Sequence, residues 1–196
     1  MRMRIATSLA LFFAVGLSVE AAAPLPRPSK EFTVMVPGGQ QILLSSLKGK
    51  VAVVQFLFTW CPHCQAFSKV LTQLNTEYGP RGFQALGVAF EDDVSKEKAV
   101  SYAQQYAGFP VGVSSRGTVF SYLGLSELER IGVPQIVVLD RKGVIRDQSP
   151  GTGGGPLGDP VNLKPLIEKL LAEGGAAKAP AKTGTTKKSA EKKASE

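Results

Sequence analysis

Residues 51–64 read Val-Ala-Val-Val-Gln-Phe-Leu-Phe-Thr-Trp-Cys-Pro-His-Cys, and this stretch decides the fold. Residues 51–58 are almost wholly apolar and rich in β-branched and aromatic side chains, the pattern of a strand buried on both faces of a sheet. Residues 62–78 then carry apolar side chains at Ala66, Phe67, Val70, Leu71 and Leu74, which is helical spacing. The corner between them holds Cys61 and Cys64, the only two cysteines in a chain of 196 residues. With both sulfurs in one C-x-x-C, none is left for a structural framework. Their chemistry is with each other and with a partner's thiols.

A strand-to-helix corner here puts Cys61 at the helix N-cap and Pro62 at the first helical position. The N–H that proline lacks would have had no partner inside the helix. Free N–H groups and the helix macrodipole bring positive potential to the Cys61 sulfur and favour the thiolate, the attacking species. Cys61 is therefore the expected nucleophile. Cys64 lies about one helical turn on and is the expected resolving thiol. Pro62 and His63 tune the pair. His63, as a cation or a hydrogen-bond donor, favours the reduced form and makes the disulfide more oxidising. It is the chain's only histidine, so no other can serve as catalytic partner. A zinc site normally needs four ligands and these residues supply three at most, so no metal is expected. Haem attachment needs C-x-x-C-H, and Gln65 occupies the last position. A purely structural disulfide would close a very short loop, where the chain-entropy gain is smallest.

Outward from the corner, the chain alternates. Residues 32–36 and 41–44 flank Pro37-Gly38-Gly39 as a hairpin, and 45–48 form one helical turn. Residues 83–90 make a second buried strand, 95–106 a helix capped by Ser95, and 110–113 a short strand. Residues 118–123 are expected as a short helix, 136–139 and 144–147 as strands joined by a turn, and 163–173 as a last helix. The order is an α/β arrangement, a mixed central sheet with helices on both faces and an N-terminal β-hairpin. The glycine-rich residues 151–158 lack the pattern and context of a phosphate cradle and read as a flexible surface loop.

The net charge of +7 sits mostly at the ends. Six lysines and two glutamates fall in residues 174–196, and Arg2, Arg4 and Glu20 in residues 1–23, leaving 15 basic and 13 acidic residues between. That middle is close to neutral and carries no basic patch laced with aromatics, so no nucleic acid is expected as partner. Residues 1–23 read as an export signal, with Arg2 and Arg4, an apolar run over 5–19 and the small residues Ala21, Ala22 and Ala23. The apolar run is short for a membrane span, and an uncleaved anchor is the alternative. Either way the domain leaves the cytoplasm for a compartment that tolerates disulfides. Residues 24–30, with Pro24, Pro26 and Pro28, read as an extended linker, 31–173 as one domain, and 174–196 as a disordered tail without large apolar residues.

The run Phe56-Leu57-Phe58-Thr59-Trp60-Cys61-Pro62-His63-Cys64 resembles the strand-to-helix corner of thioredoxin-fold proteins. Joined to Leu47-Lys48-Gly49-Lys50 and to Gly132-Val133-Pro134 before a strand, it is similar to the exported TlpA/ResA-like branch, which is related to the AhpC/TSA redoxins. The resemblance covers roughly residues 31–173 and implies a three-layer thioredoxin-like fold. It implies a cis proline at Pro134, 73 positions after Cys61, with Trp60, Val133 and Pro134 meeting an extended substrate. It also implies an acidic residue near the buried cysteine. Glu91, Asp92 and Asp93 stand in that region, and Glu91 or Asp92 is the candidate proton relay.

The expected activity is that of an exported, periplasmic thiol–disulfide oxidoreductase, a monomer working on protein thiols and disulfides. A membrane or periplasmic electron-transfer partner is implied, and the redox-active disulfide takes the place of a cofactor. His63 stands where the branch commonly has proline, and Gln135 where threonine is usual, which leaves the redox direction open. Cys-Pro-His-Cys is the tetrad of the oxidant DsbA, whereas the frame is that of reductants. One alternative is a thiol peroxidase of the AhpC/TSA type, although Val54 and Phe58 occupy the proline and hydroxyl positions of that pattern. The other is a non-catalytic thioredoxin-like binding module.

Overall fold

The computed structural model describes residues 24–173; the expected export signal at 1–23 and the expected tail at 174–196 lie outside them. The elements are β1 (Arg27–Pro28), β2 (Thr33–Met35), β3 (Gln41–Leu43), β4 (Val51–Leu57), α1 (Pro62–Tyr78), β5 (Phe83–Ala89), α2 (Lys96–Tyr106), β6 (Val111–Val113), α3 (Arg116–Leu123), β7 (Gln135–Leu139), β8 (Val144–Gln148) and α4 (Pro160–Glu173). The strands form one mixed sheet in the order β1-β8-β7-β4-β5-β6-β2-β3.

β4 is the centre of that sheet because every one of its residues can be buried. It pairs parallel with β5 along its whole length and antiparallel with β7. Its side chains alternate between two cores. Val51, Val53 and Leu57 pack with Phe67, Leu71 and Leu74 of α1, Tyr102 of α2 and Leu163 and Ile167 of α4. Ala52, Val54 and Phe56 pack with the N-terminal hairpin and with Val119, Phe120 and Leu123 of α3. Helices therefore cover both faces. Each fully buried Val, Leu or Phe contributes about 2 kcal/mol of transfer free energy, so this strand holds the two layers together.

The structure departs from the sequence reading in three places. Residues 27–28, inside the expected linker, pair with Val144 and Ile145 as an edge strand, where proline is tolerated. Ala66 of α1 is exposed and Val70 only half-buried against the edge of the core; the buried face runs through Cys64, Phe67, Ser68, Leu71, Leu74 and Tyr78. The expected flexible loop at 151–158 is instead packed down. Residues Gly155–Gly158 make a 3-10 turn, and Leu157 enters the core at 4% exposure.

Candidate functional site

Cys61 caps α1 from extended backbone, and its sulfur accepts the Cys64 N–H at 3.4 Å. Pro62 is the first residue of the helix, and both Pro62 and His63 are exposed. The two cysteines are free thiols. Cys61 is 6% exposed and Cys64 fully buried, so a large partner meets the first sulfur only. Burial pushes the Cys64 thiol well above the ordinary thiol range, and its contact with Cys61 and the nearby charge of Glu91 push the same way.

The second half of the site arrives from β7. Because β7 runs antiparallel to β4, its start lies beside the end of β4. The Val133–Pro134 peptide is cis, and the Cys61 thiol points at the Val133 carbonyl at 3.8 Å. Gln135 braces this edge: its amide donates to Gly132 O at 2.7 Å and to Pro150 O at 2.9 Å, and accepts from Ser149 Oγ at 3.2 Å. The segments 132–133 and 151–153 are pressed together. A Cβ on Gly132 would fall 2.0 Å from Thr152 O, and Gly153 sits at φ +123°.

Two grooves flank the cysteines. One, of about 590 Å³, runs between His63, Phe67 and Val70 of α1 and the glycine loop, with Val133 and Pro134 in its wall. The other, of about 480 Å³, is bounded by Thr59, Trp60, Gln65, Lys98, Tyr102 and Tyr106. Trp60 is 65% exposed and leans on Phe58, ring centroids 5.3 Å apart.

Of the acidic candidates, Glu91 is at the site and Asp92 is exposed on the surface. Asp93, also exposed, is ion-paired with Lys98. Glu91 Oε1 accepts from both the N–H and the hydroxyl of Thr59, while Oε2 is buried and has no hydrogen-bond partner. Among the described residues no group of three or more His, Cys, Asp and Glu is placed to hold a metal, and no helix is long and apolar enough to cross a membrane.

Sequence reasoning missed Gln55, Ser68 and Tyr102. Gln55 and Ser68 are fully buried and Tyr102 is 2% exposed, and the three are hydrogen-bonded to one another beneath Cys64. The available signal was Gln55 itself, the one polar residue in an otherwise apolar strand.

The chain is 29% identical to the thioredoxin-like protein YneN of Bacillus subtilis over 140 residues, 70% of this chain and 75% of YneN. It is 29% identical to the thiol:disulfide interchange protein DsbE of Escherichia coli over 128 residues, 64% of this chain and 63% of DsbE. A solved thiol:disulfide interchange protein of the thioredoxin family from Chlorobium tepidum superposes with a TM-score of 0.61 at 23% identity, over 76% of this chain and 99% of that one. That likeness establishes the thioredoxin-like fold. The AhpC/TSA family matches residues 26–148, which span the corner, the cis proline and all eight strands, and the chain therefore belongs to the AhpC/TSA family.

Proposed function

We propose that this protein is an exported thiol–disulfide oxidoreductase that exchanges disulfides with protein thiols through Cys61 and Cys64. The observation that carries the reading is the Cys61 sulfur at the start of α1. It belongs to the one cysteine of the pair with any exposure, is backed by Cys64, and faces the Val133 carbonyl.

In the reducing direction the Cys61 thiolate attacks one sulfur of a client disulfide. The client S–S bond breaks, its electron pair leaves on the second client sulfur, and that sulfur takes a proton. Cys64 then attacks the Cys61 sulfur of the mixed disulfide and expels the first client sulfur, which is protonated in turn. Two electrons and two protons pass from the pair to the client, and Cys61 and Cys64 end as a disulfide. The oxidising direction is the reverse. The pair itself carries the electrons, with no added cofactor or metal.

Cys64 must lose a proton to attack, and burial holds that proton on. Glu91 is the proposed acceptor, because its buried Oε2 is uncommitted and its charge acts on Cys64. Val133, Pro134 and Trp60 are the proposed client contacts, with His63 and Pro62 setting the potential. The leader at residues 1–23 supports export to the periplasm. There the protein works as a monomer, recharged by a membrane or periplasmic electron partner.

The test is the reduction potential of the pair. A value near about −120 mV marks an oxidant of clients and one near about −270 mV a reductant. A pair that neither reduces insulin nor oxidises a reduced client overturns the reading. The family match supports a second one, a thiol peroxidase. Consumption of hydrogen peroxide coupled to a thiol donor, rapid with the parent and lost in Cys61→Ser, would establish it.

A further inference from the structure

Three polar side chains lie in the core on the α1 side of the sheet, where each costs stability unless it is hydrogen-bonded. Gln55 projects from β4, Ser68 from the second turn of α1 and Tyr102 from α2. Gln55 Nε2 donates to the Cys64 carbonyl at 2.9 Å. Ser68 Oγ donates to Gln55 Oε1 at 2.7 Å and lies 2.8 Å from the Tyr102 hydroxyl. A serine hydroxyl has one hydrogen, and Ser68 spends it on Gln55, so Tyr102 must be the donor in the last contact. The chain of donors therefore has one direction: Tyr102 to Ser68, Ser68 to Gln55, Gln55 to the Cys64 carbonyl.

The carbonyl at its end belongs to the resolving cysteine. Gln55 pins it to β4, the strand that also leads into Cys61. Tyr102 is close enough to the pair that, after burial, the charges of Cys64 and Cys61 help raise its hydroxyl's titration. The Cys64 backbone is thus held from below while its sulfur stays free to turn toward Cys61.

We propose that Gln55, Ser68 and Tyr102 are positioning residues that clamp the Cys64 backbone and so set the effective concentration of its thiol toward Cys61. This rests on the exchange reading above. A thiol held in attack geometry closes a disulfide with less loss of freedom than one on a loose turn. The brace therefore favours the closed Cys61–Cys64 bond and speeds release of the mixed disulfide, as Cys64 attacks Cys61 and the outgoing sulfur leaves with the electron pair.

The experiment equilibrates the full chain with reduced and oxidised glutathione. The equilibrium constant for pair closure is measured for the parent, Tyr102→Phe, Gln55→Leu and the double variant. Melting temperatures are recorded in both redox forms. Each single variant is expected to lower the constant about three- to tenfold, the effect of one buried hydrogen bond. The double variant is expected to fall no further than the worse single, because both break one network. Tyr102→Phe removes a single oxygen and stands alone as the test if Gln55→Leu fails to fold. Constants within about twofold of the parent, with both redox forms destabilised equally, would reduce the network to core packing and overturn the proposal. A parent pair that does not equilibrate with glutathione overturns the exchange reading itself and the brace's redox role with it.

Discussion

The two ends of α1 both collect polar groups and use them in opposite ways. At the C-terminal end they are tied to one another or to backbone carbonyls, with only the buried Arg141 Nε left over among the described residues. Tyr78 donates to Glu168 at 2.6 Å, Lys164 pairs with Glu77 at 3.1 Å, and Arg141 reaches Gly49 O at 2.9 Å and Arg81 O at 3.0 Å. Arg146 bridges Asp140 and Glu173 nearby. At the N-terminal end the reactive groups are left with capacity to spare. The Cys61 sulfur has only long contacts, Glu91 Oε2 has none, and two grooves open on either side. Polar groups at the closed end hold the helix down. Those at the open end are the ones that the proposed function assigns to a client's sulfur and a proton.

That contrast is sharpest in Cys61→Ser, which is expected to remove exchange altogether, with insulin turbidity at the uncatalysed rate; residual turnover would mean that the open end is not the working one. Glu91→Gln is expected to slow closure of the pair by on the order of a hundredfold, the usual scale of a lost acid–base group. Rapid-quench trapping of the mixed disulfide reads that step, and an unchanged rate would leave Cys64 without its proposed base.

Gly132→Ala pushes a methyl into the Thr152 carbonyl, so the two segments behind Val133 must part. A loss of about 3 kcal/mol in urea unfolding is expected, with weakened client binding alongside. Arg141→Met, at the closed end, is expected to cost about 2 kcal/mol in the same experiment while leaving the exchange rate where it was. A drop in exchange there would erase the division between the ends.

The smallest effect is a slope. The folded state keeps a Cys64 proton that the unfolded chain gives up near the ordinary thiol value of 9.0, because burial raises the group. Its contribution to stability is complete below that pH and is lost as pH climbs beyond it. Reduced parent and reduced Cys64→Ala should therefore diverge in unfolding free energy only on the alkaline side.

The parts of the molecule that could be read in advance are those with a period or a local rule. β4 followed from an apolar run broken only by Gln55, α1 from its spacing and from proline at its first position, and α2 from Ser95 at its cap. The placement of Cys61 and Cys64 side by side at the start of α1 needed only their spacing and the strand before them. The rest depends on neighbours remote in sequence. Gln55, Ser68 and Tyr102 come from three elements, and one glutamine in a strand has no period that would announce its partners. Glu91 and Asp92 are adjacent and chemically alike; only the end of β5 decides that the first turns inward. The loop at 151–158 looked loose because glycine dominates its composition, yet Leu157 anchors it against the core.

The antiparallel pairing of β4 with β7 has a consequence for how this chain can be altered. The cysteines and the proline that faces them are fastened to two adjoining strands, from Ala52 opposite Leu139 to Phe56 opposite Gln135. Nothing in the 56 residues between α1 and β7 carries that alignment. The reactive centre is in this sense a two-piece lock whose halves are registered by one strip of backbone. A chain severed in the exposed turn around Leu128 would present two fragments, each bearing one half. Recovery of thiol chemistry on mixing them would report that this seam, with the β1–β8 pair and the packing of α4 on α1, is sufficient to assemble the lock.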